Sequence, residues 1–288
     1  MKNLRLYIAL ALVALVASCS EDDKITLEVQ ETVPRGAVLR TVSFESTTFN
    51  VFDPASIFGV TIEEQDHEDG DLLSNIEIYV DFVDNSTSNG TTTATETLVS
   101  TVAASEFTSG PNGLPRTSFS VSLGDALSAL GVANTPANVT GGDQINIRLV
   151  VNLTDGRFFT DVDTTGRVSG GSFFSSPYAY RAGINCIPTA PVIGDYTLNI
   201  EDSFGDGWDG AFITVTIDGT NTDYTITSGD SGSFTITVPT GTTELVWTYT
   251  PGNFEGEHSY ELLAPDGQVA AADGPGPAPG EIVLNICN

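Results

Sequence analysis

An all-β chain built as two β-sandwich domains is what the sequence predicts, and three observations predict it. Apolar and polar residues alternate with period two in run after run, most cleanly over 75–83 and over Gln144–Leu153. The composition, with 29 Gly, abundant Thr and Ser, and 1 Met, suits strands and turns rather than long amphipathic helices. Turn dipeptides such as Asp155-Gly156, Asp218-Gly219 and Asp266-Gly267 punctuate the runs. At 288 residues and 40% hydrophobic content the chain can fill two cores of ordinary size.

Residues 1–18 read as a targeting segment: Lys2 and Arg5 precede an apolar run over 6–16 that is too short to span a membrane comfortably. The run ends Leu15-Val16-Ala17-Ser18-Cys19, which resembles the lipobox of bacterial lipoproteins. That resemblance implies cleavage before Cys19 and acyl chains on Cys19 that hold the protein to a membrane; the alternative is a free or disulfide-bonded cysteine. The following Ser20-Glu21-Asp22-Asp23-Lys24 is similar to the acidic export signal of Bacteroidetes surface lipoproteins. It implies an outer-membrane protein facing the cell exterior, against the plainer reading of a solvated linker. Residues 19–33 are then a lipidated acidic tether, ending at Pro34-Arg35-Gly36.

The first domain covers 34–185. Over 75–83, Ile76, Ile78, Val80 and Phe82 share one face; over Gln144–Leu153, Ile145, Ile147, Leu149, Val151 and Leu153 do. Asp155-Gly156 turns the second run into 157–162 as a hairpin. Weaker strands are expected at 37–45, 57–63, Thr97–Ala103 and 117–123. One short helical pattern, Leu123, Ala126-Leu127 and Leu130, is closed by Gly131. Residues 85–96, nearly all Ser, Thr, Asn and Gly, form a loop. Seven or eight strands spaced by turns describe an immunoglobulin-type sandwich. The stretches 71–84 and 142–157 resemble the Ig-like modules of Bacteroidetes surface lipoproteins, some linked to polysaccharide uptake.

The second domain covers 186–288. Alternating runs at 196–200, Phe212–Ile217, 224–227, 234–238, 245–249, 260–263 and 282–286 predict another sandwich, Ig-like or jelly-roll. Residues 271–280, with three prolines and three glycines, read as a surface loop. With Cys19 lipidated, Cys186 and Cys287 remain and bracket this domain in an oxidising compartment, which predicts a disulfide between its two ends; two buried thiols is the other reading.

The charge narrows the partners. Ten Lys+Arg against 38 Asp+Glu give −28, and losing Lys2 and Arg5 with the signal leaves −30. Such a charge repels phosphate backbones and excludes nucleic acid as a partner. It is compatible with divalent cations. The two histidines, His67 and His258, fall in different domains and make no zinc pattern. No Gly-x-Ser-x-Gly elbow and no phosphate-binding glycine loop occurs. A non-enzyme is expected, although carboxylate-dependent glycoside hydrolysis is not excluded by counting acids.

The most unusual stretch is Asp202-Ser203-Phe204-Gly205-Asp206-Gly207-Trp208-Asp209-Gly210. Its glycines permit a tight curl that would aim Asp202, Asp206 and Asp209 at one point, the oxygen chemistry that Ca2+ asks for. The spacing is not that of an EF-hand. Three readings stay open: a calcium loop, a structural turn with Trp208 folded back as a plug, and a ligand contact by an exposed Trp208. The stretch resembles the "DSYGDGWNG" signature of a β-rich module of secreted proteins, often bacterial and often appended to peptidases or adhesins. Phe204 stands for the usual Tyr and Asp209 for the usual Asn, and the likeness implies a non-catalytic accessory module. A second acidic loop, 63–71, offers Asp66, Asp69 and Asp71 as weaker calcium ligands or simply as a solvated turn. Trp247 belongs on a core face, and Tyr79 is a further aromatic on a polar face. The expectation is a lipid-anchored surface protein that binds or adheres, with polysaccharide or a surface protein as partner. A structural spacer of an outer-membrane complex and a glycoside hydrolase are the alternatives.

Overall fold

The structure, a computed structural model, describes residues 36–86, 89–164, 166–170 and 176–287. The signal, the tether and Cys19 lie outside the described residues. Among the described residues no helix is long and apolar enough to cross a membrane.

The chain is all-β. In the first sandwich β1 (Val38–Ser46), β3 (Ile57–Gln65), β7 (Pro115–Ser122) and β6 (Thr108–Ser109) make one sheet in the order β1-β3-β7-β6. The facing sheet runs β2 (Thr48–Asn50), β10 (Ala179–Asn185), β8 (Gln144–Leu153), β4 (Leu73–Val83) and β5 (Thr97–Ala103), with β9 (Phe158–Phe159) added on β8. Every pairing is antiparallel except β2 against β10, which is parallel. In immunoglobulin lettering the arrangement is A-B-E-D against G-F-C. The period-two residues do what their spacing demands: Ile76, Ile78 and Val80 join Ile145, Ile147 and Leu149 in a core completed by Leu39, Val60 and Ile62. The helix α1 (Leu123–Leu130) begins where Ser122 Oγ accepts the Asp125 N–H at 3.0 Å and ends at Gly131, whose φ of 67° is left-handed.

The second sandwich sets β14 (Ser231–Val238), β11 (Gly194–Asp202), β16 (His258–Leu263) and β17 (Val269–Asp273) in one sheet, in that order. The other sheet runs β13 (Thr220–Tyr224), β12 (Phe212–Ile217), β15 (Leu245–Thr250) and β18 (Gly280–Glu281). Tyr196, Leu198 and Ile200 pack between the sheets against Ile213, Val215, Trp247 and Tyr249, so Trp247 is core as expected. Cys186 and Cys287 form a disulfide with Cα atoms 5.1 Å apart.

Four local readings need correction. The strand expected at 224–227 is β13, centred earlier, because the Asp218-Gly219 turn sets the register of a hairpin with β12. Residues 282–286 are not a strand: Ile282 N–H reaches Trp247 O in one sheet and Asn285 N–H reaches Ala270 O in the other, so the chain crosses between sheets. The loop expected from 271 begins after Asp273, because Ala271 and Ala272 pair with β16. Of 157–162 only β9 pairs, and Asp161–Asp163 turns into a 3-10 helix.

Candidate functional site

The loop joining β11 to β12 is organised by one carboxylate. Asp202 is buried at the end of β11 and accepts four backbone N–H groups, from Phe204, Gly205, Asp206 and Gly207, at 2.8–3.1 Å. Burial pushes the Asp202 pKa up, but these four donors outweigh it and hold the carboxyl below its ordinary range. Gly207 makes the close turn possible: its φ is 104°, and a Cβ there would lie 2.7 Å from the backbone of Thr227 and Ser228.

Trp208 then folds inward. It is 0% exposed, and its indole N–H donates to Glu201 O at 2.9 Å while the ring lies against His258 and meets Tyr249 edge-on. The reading of Trp208 as an exposed ligand-binding ring is therefore overturned. A tryptophan with its single donor satisfied by backbone gains more from the core than from solvent. Tyr79 is likewise engaged, beneath the Arg148 guanidinium at 4.7 Å, which Glu96 holds through two hydrogen bonds.

At this end of the second sandwich the rings that face solvent are Phe204, 73% exposed, and Phe254, 69% exposed; Phe44, Phe52 and Phe158 are exposed on the first sandwich. Phe254 sits on the neighbouring loop between β15 and β16, at a left-handed φ of 57° that a bulky residue adopts only when its surroundings impose it. The two loops interlock. Ser203 N–H reaches Glu257 O at 2.9 Å, and Asn253 donates through backbone and side chain to Asp209 O. Gly252 packs so closely on Asp209 and Ala211 that no side chain fits there.

Among the described residues, the acids whose carboxylate oxygens converge within 4.8 Å are Asp202, Asp206 and Glu257. Two of the three expected ligands are thus brought together, and the third position is taken by Glu257 rather than Asp209. Asp209 turns the chain at φ 43°, and its Oδ2 is buried without a partner. Nothing local in the sequence marked Glu257; it arrives because β11 pairs with β16, opposite residues being Asp202 and His258. Burial first, then the charges of Asp209 and Asp202, push the Asp206 pKa up, which is what crowded carboxylates do and what a divalent cation would reverse. The donor set fits calcium in kind, three carboxylates on glycine-rich loops, although three of the four N–H donors already fill Asp202 Oδ2.

The acidic loop 63–71 resolves differently. Asp66, Asp69 and Asp71 form no converging group. Asp66 is buried and accepts N–H groups of Glu68, Gly70 and Leu72 at 2.7–3.0 Å, so it is a turn organiser. Glu63, on the face of β3 opposite to Glu64, is buried beneath Arg40 and Arg116, which hold its carboxylate. Glu64 points into the core: it is 0% exposed, and neither of its oxygens has a partner.

No family model matches the chain, and no curated protein matches its sequence. Solved structures overlap it partially. One is a 1.5-MDa bacterial ice-binding adhesin studied for host cell surface retention, with TM-score 0.25 and 12% identity over 82% of this chain. The chain spans 62% of the length of that structure. Two crystal forms of an adhesin from Mobiluncus mulieris, containing intramolecular disulfide, isopeptide and ester bond cross-links, overlap with TM-scores of 0.22. Their identities are 12% and 13%, over 75% and 88% of this chain and 79% and 92% of theirs. Overlaps this divergent do not establish kinship.

Proposed function

We propose that the chain is a non-catalytic, lipid-anchored protein of the cell surface that binds through the outer end of its second sandwich. Glycan is the ligand class and calcium the structural ion of the loop. The observation that carries this reading is the pair of solvent-facing rings, Phe204 and Phe254, on two interlocked loops beside three converging carboxylates. Exposed aromatic rings on a rigid support offer a face for the C–H groups of a sugar, and adjacent carboxylates accept its hydroxyls. With a net charge of −28, the ligand is a neutral glycan rather than a sulfated or uronate-rich one.

Binding of the protein to an array of neutral glycans tests this directly. Phe204→Ala and Phe254→Ala are each expected to weaken binding about tenfold or more, the scale of one lost aromatic contact, with the second-domain melt unchanged. Binding that survives both changes would sink the reading.

The calcium reading has its own check. In calcium at about 100 times its dissociation constant the second domain should gain roughly 2.7 kcal/mol over chelator. Asp206→Asn should abolish the gain. Because the Asp206 pKa is raised in the cation-free loop, calcium must compete with a proton there, and the gain should shrink as pH falls towards the carboxylate range. Identical melts in calcium and chelator at neutral pH would remove the metal from the account.

A further inference from the structure

We infer that the Cys186–Cys287 disulfide is an inter-domain lock as well as a staple of the second sandwich, and that it sets the direction in which the Phe204 and Phe254 loops point. Among the described residues no strand of one sandwich pairs with a strand of the other. The two are joined by a single chain crossing and by a small junction centred on the disulfide. Asn50, on β2 of the first sandwich, clamps Ile187 with both ends of its side chain: Nδ2 donates to Ile187 O at 2.8 Å, and Oδ1 accepts Ile187 N–H at 3.1 Å. Each cysteine is held in the second sandwich, Cys186 N–H by Asn285 Oδ1 and Cys287 N–H by Gln268 Oε1. Ile286 N–H donates to Cys186 O at 2.7 Å.

The first sandwich meets these sulfurs through its loop between α1 and β8. A Cβ at Gly141 would lie within 3.0 Å of both Sγ atoms, so the disulfide rests directly on that peptide backbone. The contact continues into an apolar cavity of about 120 Å³ lined by Val51, Phe52, Pro136, Val139 and the two cysteines. Gly141 has no left-handed φ. Its lack of a side chain therefore serves the approach of the disulfide and not the turn.

The geometry gives this junction leverage. β11 begins at Gly194, against Pro265 of the β16–β17 turn whose Gln268 holds Cys287, and delivers Asp202 at its far end, about 26 Å further on at the usual rise per strand residue. A change of about 20° at the junction would displace the candidate site by roughly 9 Å at that radius. A lock at the disulfide removes that freedom and presents the site in one orientation relative to the first sandwich. This goes beyond the binding proposal and does not depend on it, since the readout is a distance and not an affinity.

The test is a distance distribution between spin labels carried on p-acetylphenylalanine at Thr101 and Thr222, which leaves the native cysteines intact. Both positions are exposed, one in each sandwich. The oxidised protein should show one narrow distance. Gly141→Leu leaves both cysteines in place, at a φ any L residue can adopt, but wedges a side chain under the sulfurs; it should broaden or shift the distribution while the second-domain melt stays where it was. Cys186→Ala/Cys287→Ala should broaden it too. A distribution that stays narrow and unmoved in either Gly141→Leu or the cysteine variant overturns the lock, because the disulfide would then act only within its own domain. A distribution already broad in the oxidised protein overturns it as well.

Discussion

Trp208→Ala should destabilise the second sandwich by about 3–5 kcal/mol, the range for removing a fully buried aromatic from a core that cannot collapse around the space. The ring is enclosed by Tyr249 and His258, and its N–H is bonded to Glu201 O. Its removal opens a void at the base of the candidate site and takes away the indole's hydrogen bond to the backbone. Denaturant unfolding followed through the second-domain transition measures the loss. Phe204→Ala, four residues earlier but solvent-facing, should change that transition by no more than about 0.5 kcal/mol. The contrast separates a ring that holds the loop from a ring that the loop displays. Equal effects from the two would mean that the loop is not built on Trp208.

Glu64→Gln is expected to act in the opposite direction, stabilising the first sandwich at neutral and alkaline pH. Burial, and then the Asp66 charge, push the Glu64 pKa from 4.5 up to about 8. In the folded state the group keeps its proton until about pH 8, whereas the unfolded chain gives it up near 4.5. Between those values the native state binds the extra proton, so stability falls as pH rises. Across the window the loss reaches roughly 4–5 kcal/mol. Glutamine has no proton to lose, and its variant should lack this slope, matching the native protein near pH 4.5 and exceeding it at pH 8. Glu63, one residue earlier, works the other way. Burial pushes its pKa up, but the hydrogen bonds and charges of Arg116 and Arg40 hold it below the ordinary range. Its contribution is therefore lost as pH falls, and the difference between native protein and Glu64→Gln cancels it. First-domain unfolding at pH 5, 6.5 and 8 decides the matter. A pH slope unchanged by the substitution would mean that Glu64 is ionised and paired.

The strands that could be read along the chain are those whose pattern is local. Gln144–Leu153 and Phe212–Ile217 alternate because one face is buried and the other is not, and they form over those residues. The helix Leu123–Leu130 carries its own cap and its own glycine stop. Where the pattern was weak the reading slipped: β10, Tyr-Arg-Ala-Gly-Ile within Ala179–Asn185, buries Ala182 and so lacks the β-branched signature. β13 has almost no buried residue, since an edge strand held by a turn needs none.

The candidate site divides along the same line. That 202–210 is a tight, acid-rich turn follows from its aspartates and glycines, and so does the expectation that Asp202 and Asp206 approach one another. That Cys186 and Cys287 pair follows from their number and position. Which aromatic faces solvent did not follow, because a tryptophan and a phenylalanine on one loop compete for a single inward place. Tyr249, His258 and Glu201 O awarded that place to Trp208. Glu257 and Phe254 came from a loop about fifty residues away, carried in by the pairing of β11 with β16. By itself the sequence determined the fold class, the longer strands and the position of the turn, since periodicity and turn chemistry act between near neighbours. The tertiary structure alone decided which carboxylates converge, which rings are displayed and where the disulfide rests. Those outcomes depend on contacts between segments far apart in the chain, and no local pattern encodes them.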